Sequence, residues 1–75
     1  MNISGVLVKT HPENISAVKQ ALTHMSGVEV HGNNEDGRIV ITVEDTSASN
    51  ITDTVSEIQE VRGVLSAAMI YHQLE

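Results

Sequence analysis

The chain reads twice. Ile3, Ile15, Leu22, Met25, Gly27 and Val28 recur 36 positions on as Ile39, Ile51, Ile58, Val61, Gly63 and Val64. Each copy holds a short apolar strand, an amphipathic helix, a glycine stop and a second strand. Two such β-α-β units in 75 residues point to an α+β chain with the ferredoxin-like β-α-β-β-α-β order. In that sandwich both helices lie on one face of a four-stranded antiparallel sheet. The other face stays open, and its residues decide the function.

The first strand is expected over Ile3 to Lys9. Thr10 and Glu13 then form a capping-box pattern around Pro12, which suits a first helical turn. Ile15, Val18, Leu22 and Met25 fall at helical spacing, so the first helix runs to about Met25, and Gly27 stops it. Val28 to about Asn33 is a short polar strand at a sheet edge. Asn33 to Gly37 is a hairpin loop with an Asp-Gly turn signal. The third strand, Arg38 to Glu44, is β-branched from Ile39 to Val43, as befits a strand between two neighbours. Asp45, Thr46 and Ser47 are the N-cap candidates of the second helix, whose stripe is Ala48, Ile51, Val55, Ile58 and Val61. Gly63 stops it. Val64 to His72 is the fourth strand, and Gln73-Leu74-Glu75 is a frayed tail.

At this length one domain over residues 1–75 is expected, with a thin core. The net charge is -6, and the four cations, Lys9, Lys19, Arg38 and Arg62, are scattered. Nucleic acid is therefore not an expected partner, whereas a basic peptide is compatible with the charge. No cysteine is present, so disulfides and thiol chemistry are excluded. The four histidines, His11, His24, His31 and His72, show no zinc-type spacing, so neither a metal nor a cofactor is expected. The start of the chain carries no basic stretch followed by a long apolar run, and a cytoplasmic protein without a membrane span is expected.

No catalytic group emerges. The pairs Glu35/Asp36 and Glu44/Asp45 read as solvated turn charge. The loop after the first strand, Thr10-His11-Pro12-Glu13, has no Cys-x-x-Cys metal motif and no arginine or glycine cradle for an anion. The central strands carry no ring on which a base would stack.

The open face is what remains. Ile39, Ile41 and Val43 are assigned to the helices, leaving Arg38, Val40, Thr42 and Glu44 outside. On the fourth strand the bulky set Leu65, Ala67, Met69 and Tyr71 is assigned to the core, and Ser66, Ala68, Ile70 and His72 to the open face. On the first strand Val6 and Val8 are taken as buried and Gly5, Leu7 and Lys9 as open. The internal repeat favours the opposite phase there, since it equates Ile3 and Leu7 with Ile39 and Val43. The expected result is a shallow trough at Gly5, Ser66 and Ala68, between Leu7, Val40 and Ile70. Such a trough admits a partner helix, and the same face equally suits closure of a homodimer.

The residues Ser4-Gly5-Val6-Leu7-Val8, the Pro-Glu helix start, Ser26-Gly27-Val28-Glu29-Val30, and Gly63-Val64-Leu65-Ser66-Ala67 running into Ile70-Tyr71-His72-Gln73 resemble the NapD family across essentially the whole chain. These are the cytoplasmic assembly chaperones of the periplasmic nitrate reductase. The resemblance implies a ferredoxin-like fold without catalysis. It also implies binding of the twin-arginine signal peptide of the nitrate reductase catalytic subunit, restraining export until the molybdenum cofactor is inserted. The peptide is expected as a helix on the sheet, touching Gly5, Leu7, Lys9, Val40, Thr42, Ser66, Ala68, Ile70 and His72, with the chaperone a monomer or weak homodimer. The alternative is a regulatory or oligomerisation domain of the same fold that binds a small ligand at a dimer interface.

Overall fold

The computed structural model describes residues 2–47 and 50–73. Strand β1 (Ile3–Thr10) leads through a short 3-10 turn (Pro12–Asn14) into helix α1 (Ile15–Thr23). Strands β2 (Val28–Asn33) and β3 (Arg38–Glu44) form the hairpin, followed by helix α2 (Ile51–Gln59) and strand β4 (Val64–Gln73). The sheet order is β2-β3-β1-β4, with every neighbouring pair antiparallel. This is the ferredoxin-like arrangement, with β2 at an edge and β1 and β3 in the centre.

Val6, Val8, Ile39, Ile41 and Val43 project from the central strands and meet Val18, Leu22, Ile51 and Ile58 from the helices in one buried cluster. Burying a side chain of this size is worth about 1.5–3 kcal/mol, so the cluster fixes which sheet face the helices cover. The phase read for β1 is therefore the observed one, with Val6 and Val8 inside, and the repeat does not extend to this strand. It does extend to the helices. Val18 and its counterpart Thr54 are both buried, as are Leu22 and Ile58. Gly27 and Gly63 take φ of 79° and 98°, the left-handed region that glycine enters without steric cost.

Both helix starts differ from the sequence reading. Thr10 does not cap α1. It belongs to β1, and its hydroxyl donates to the Gly63 carbonyl at 2.6 Å, joining the end of β1 to the turn before β4. The residue before α1 is Asn14, whose side chain makes no cap hydrogen bond. In α2 the N-cap is Asn50, whose Oδ1 accepts from the Asp53 amide at 2.8 Å. Asp45 still serves this end of the molecule, accepting from the Ile51 amide at 2.9 Å and from the Asn2 side chain at 2.8 Å. The helix-stripe position Ala48 and the tail residues Leu74 and Glu75 lie outside the described residues, whereas Gln73 continues β4 rather than fraying.

The hairpin closes at Gly37, with φ of 104°. The Thr10 amide donates to its carbonyl at 2.8 Å, and a Cβ added at Gly37 would collide with the Thr10 carbonyl oxygen. Gly37→Ala is therefore expected to cost about 1–3 kcal/mol. Gly32, where an added Cβ meets nothing within 4 Å, should accept alanine without loss. Urea unfolding of the two variants reads the contrast; equal midpoints would refute the turn assignment.

Candidate functional site

The sheet face away from the helices is built by register. Antiparallel partners share a face, so the pairs Leu7↔Val40, Lys9↔Arg38, Gly5↔Thr42 and Ile3↔Glu44 all belong to it. From β4, Ala68 stands opposite Leu7 and Ser66 opposite Lys9. From β2, Glu29 stands opposite Thr42 and Gly32 opposite Val40. The structure thus brings Gly5, Leu7, Lys9, Val40, Thr42, Ser66, Ala68 and Ile70 to one surface.

β4 departs from simple alternation. β1 has 8 residues and β4 has 10, so two residues of β4 are surplus in the ladder. The register shifts between Gly5 and Val6 and again between Lys9 and Thr10. At the first shift Val6 pairs with Met69 while Gly5 pairs with Tyr71, leaving Ile70 as the extra residue. A bulge of this kind flips the phase beyond it. Tyr71 consequently lies on the open face and is 58% exposed, and Leu65, surplus at the second shift, is 60% exposed. The sequence reading placed both in the core. Ala67 is buried as expected, whereas Met69, opposite Val6 on an edge strand, stays 46% exposed. The same flip sets the His72 backbone opposite Ser4, which is buried, and not beside the open-face residues it was grouped with. The His72 side chain lies outside the described part of the structure.

The trough expected at Gly5 is filled. A Cβ built there would lie 3.2 Å from the Tyr71 Cβ and 3.8 Å from the Ile70 Cγ1. Glycine is needed at this point for room, since both side chains of the bulge fold across it. Two open depressions lie toward β2. One, of about 410 Å³, is bordered by Ile3, Glu29, His31, Thr42 and Glu44. The other, of about 520 Å³, is bordered by Leu7, His31, Asn33, Arg38 and Val40. His31 borders both. It is the surplus residue of a bulge between Val30 and Gly32, and its Nε2 lies 2.8 Å from the Thr42 Oγ1.

Ile70 at 59% and Val40 at 42% exposure, together with Tyr71, make this an apolar band on an acidic protein. It offers contact area. The histidines are dispersed, with His24 bonded to the Gln20 carbonyl and His31 on Thr42. Among the described residues no three His, Asp or Glu side chains converge on a point where a metal would bind. No described helix is long and apolar enough to cross a membrane.

The sequence held one signal for the missed residue: the sole aromatic, Tyr71, lies in a strand two residues longer than its partner, and a glycine stands on that partner. An aromatic across from a strand glycine is a recognised pairing.

The family model described as NapD protein matches residues 1–75. The Chaperone NapD of Escherichia coli strain K12 is 27% identical over 74 residues, covering 97% of this chain and 85% of that protein. The Chaperone NapD of Haemophilus influenzae is 20% identical over 73 residues, covering 96% of this chain and 78% of its own length. The solution structure of the E. coli Tat proofreading chaperone protein NapD superposes with a TM-score of 0.81 at 28% identity, covering 97% of this chain and 78% of that one.

The two faces of β4 are separable by substitution. Ala67→Trp should overpack the core, at about 1–3 kcal/mol or more. Ala68→Trp, one residue on and exposed, should stay within about 0.5 kcal/mol of the parent. Thermal midpoints decide it, and the reverse order would mean that this segment of β4 is out of phase.

Proposed function

The chain belongs to the NapD family, and we propose that it is a non-enzymatic cytoplasmic chaperone for the twin-arginine signal peptide of the periplasmic nitrate reductase catalytic subunit. It holds that peptide on the open sheet face and so restrains export until the molybdenum cofactor is inserted. The observation that carries this reading is the apolar band of exposed Val40, Ile70 and Tyr71 beside the half-buried Leu7, on a chain of net charge -6. A twin-arginine signal peptide has the complementary composition, an apolar stretch beside paired cations.

Leu7, Lys9, Val40, Thr42, Ser66, Ala68 and Ile70 are the contact residues proposed, and Tyr71 joins them, while Gly5, buried beneath Ile70 and Tyr71, serves only to make room for them. The apolar and small residues among them work through shape and apolar area. Leu7 and Val40 supply the floor, Ala68 and Ser66 leave space for a helix to come close, and Ile70 with Tyr71 forms a raised wall over Gly5. His72 is left without a role. The protein's homologues are named chaperones, and transient holding of an apolar segment needs a surface of this type and no reacting groups.

Isothermal titration with the synthetic signal peptide tests the reading. Ala68→Trp should lower affinity by about tenfold or more, ~1.4 kcal/mol, with the thermal midpoint retained. Leu7→Ala and Ile70→Ala should each weaken binding by about 1–2 kcal/mol, the scale of a truncated interface aliphatic. Association should slow as salt rises, with dissociation changing less. Absence of binding to the parent protein, or full affinity in Ala68→Trp, would refute the reading. Concentration-dependent dimerisation abolished by Ala68→Trp, without peptide binding, would instead support closure of this face by a second copy.

A further inference from the structure

The charges of the open face are segregated along the strands. Lys9 and Arg38 are cross-strand partners, and both are exposed. Two of the chain's four cations therefore face each other at one end, an arrangement that destabilises a sheet, and with one carboxylate, the exposed Asp36 of the hairpin turn, bordering the same depression, that end keeps an excess of positive charge. At the other end Glu44 stands opposite Ile3 and Glu29 opposite Thr42, and both carboxylates are exposed. Leu7, Val40, Ile70 and Tyr71 lie in the interval.

The interval has a definite length. Arg38 and Glu44 bound the 7-residue strand β3, about 20 Å from end to end at ~3.3 Å per residue. A helix of about 13 residues, at ~1.5 Å per residue, covers the same distance. Such a helix carries partial positive charge at its N-terminus and partial negative charge at its C-terminus. A pair of arginines at its N-terminal end adds to that polarity, and guanidinium groups bond carboxylates in a bidentate fork. The opposite orientation would set arginines on Lys9 and Arg38, and juxtaposed like charges are strongly disfavoured.

We propose that the face imposes a direction on its ligand: the arginine-bearing N-terminal end of the signal peptide meets Glu29 and Glu44, its apolar helix crosses Leu7, Val40, Ile70 and Tyr71, and the helix C-terminus meets Lys9 and Arg38. The peptide thus runs parallel to β1 and antiparallel to β3. This rests on the function proposed above and adds polarity to it. The segregated charges choose the direction, and the apolar band supplies the contact area.

The probe is a synthetic peptide of two consecutive arginines followed by about 13 apolar residues, spin-labelled at one end or the other and added to the isotope-labelled full chain. A label at the arginine end should broaden the amide signals of Glu29, Thr42 and Glu44. A label at the distal end should broaden those of Lys9, Arg38 and Ser66. The reversed pattern, or equal broadening at both ends, overturns the direction while leaving peptide binding in place. No broadening from either label overturns both the direction and the function. A charge exchange gives the second readout. The double variant Glu29→Lys, Glu44→Lys should bind this peptide about tenfold or more weakly at low salt, and should regain affinity for a peptide whose arginines are both glutamates. The double variant Lys9→Glu, Arg38→Glu should show no such regain for the glutamate peptide. Undiminished affinity of the first variant for the arginine peptide, or regain in the second for the glutamate peptide, contradicts the proposal.

Discussion

The pairing of β1 with both β3 and β4 is the interaction on which the remaining structure depends. β1 lies between β3 and β4 in the sheet, and its register with β3 sets Val6 and Val8 beside Ile41 and Ile39. That apolar quartet is what α1 and α2 cover. Two helices of 9 residues each suffice for one face of a four-stranded sheet and no more. Everything on the alternate positions of the same strands is left exposed, so the choice of core determines the binding surface as its complement.

The β1–β4 ladder then shapes that surface. Strict alternation along β4 would have put Tyr71 beneath the helices and Ile70 alone outside. The bulge at Ile70 sends both outward, over the one position in β1 that has no side chain. The relation is reciprocal: Gly5 makes room for the bulge, and the bulge raises an apolar wall at the edge of an otherwise shallow face. The second irregularity exposes Leu65 near Lys9 and Arg38. A surface with Val40, Leu65, Ile70 and Tyr71 all between 42% and 60% exposed is costly to leave in water, and contiguous apolar patches of this type mark interaction sites.

Much of this was legible in the sequence. The helical stripes, the glycine stops, the hairpin and the β-branched third strand follow from periodicity and turn chemistry, and each acts within a few residues of its own position. The phase of β1 was chosen against the repeat and is decided by the register, which sets Val6 and Val8 beside Ile41 and Ile39 and Leu7 beside Val40. What failed was non-local except at the start of α2, where the choice lay among neighbouring cap residues. Thr10 has the chemistry of a cap, but its hydroxyl bonds the Gly63 carbonyl 53 residues away. Asn50 caps α2 in preference to Asp45, Thr46 or Ser47, although Asp45 still holds the Ile51 amide. The bulges of β4 depend on a length mismatch with β1, which becomes visible only once the two strands are known to pair. Two open depressions lie toward β2 for the same reason: His31, surplus in its own ladder, turns onto Thr42 and divides the face.

The central claim is that the sheet face opposite the helices is where the signal peptide binds. Amide chemical-shift mapping of the isotope-labelled chain, titrated with unlabelled twin-arginine signal peptide, tests it directly. The account predicts that the largest changes fall on Leu7, Val40, Thr42, Ala68, Ile70 and Tyr71, with α1 and the outer turns of α2 nearly unmoved. Changes concentrated on the exposed helical residues Ser16, Gln20, Thr52 and Glu57, with the open face silent, would contradict it.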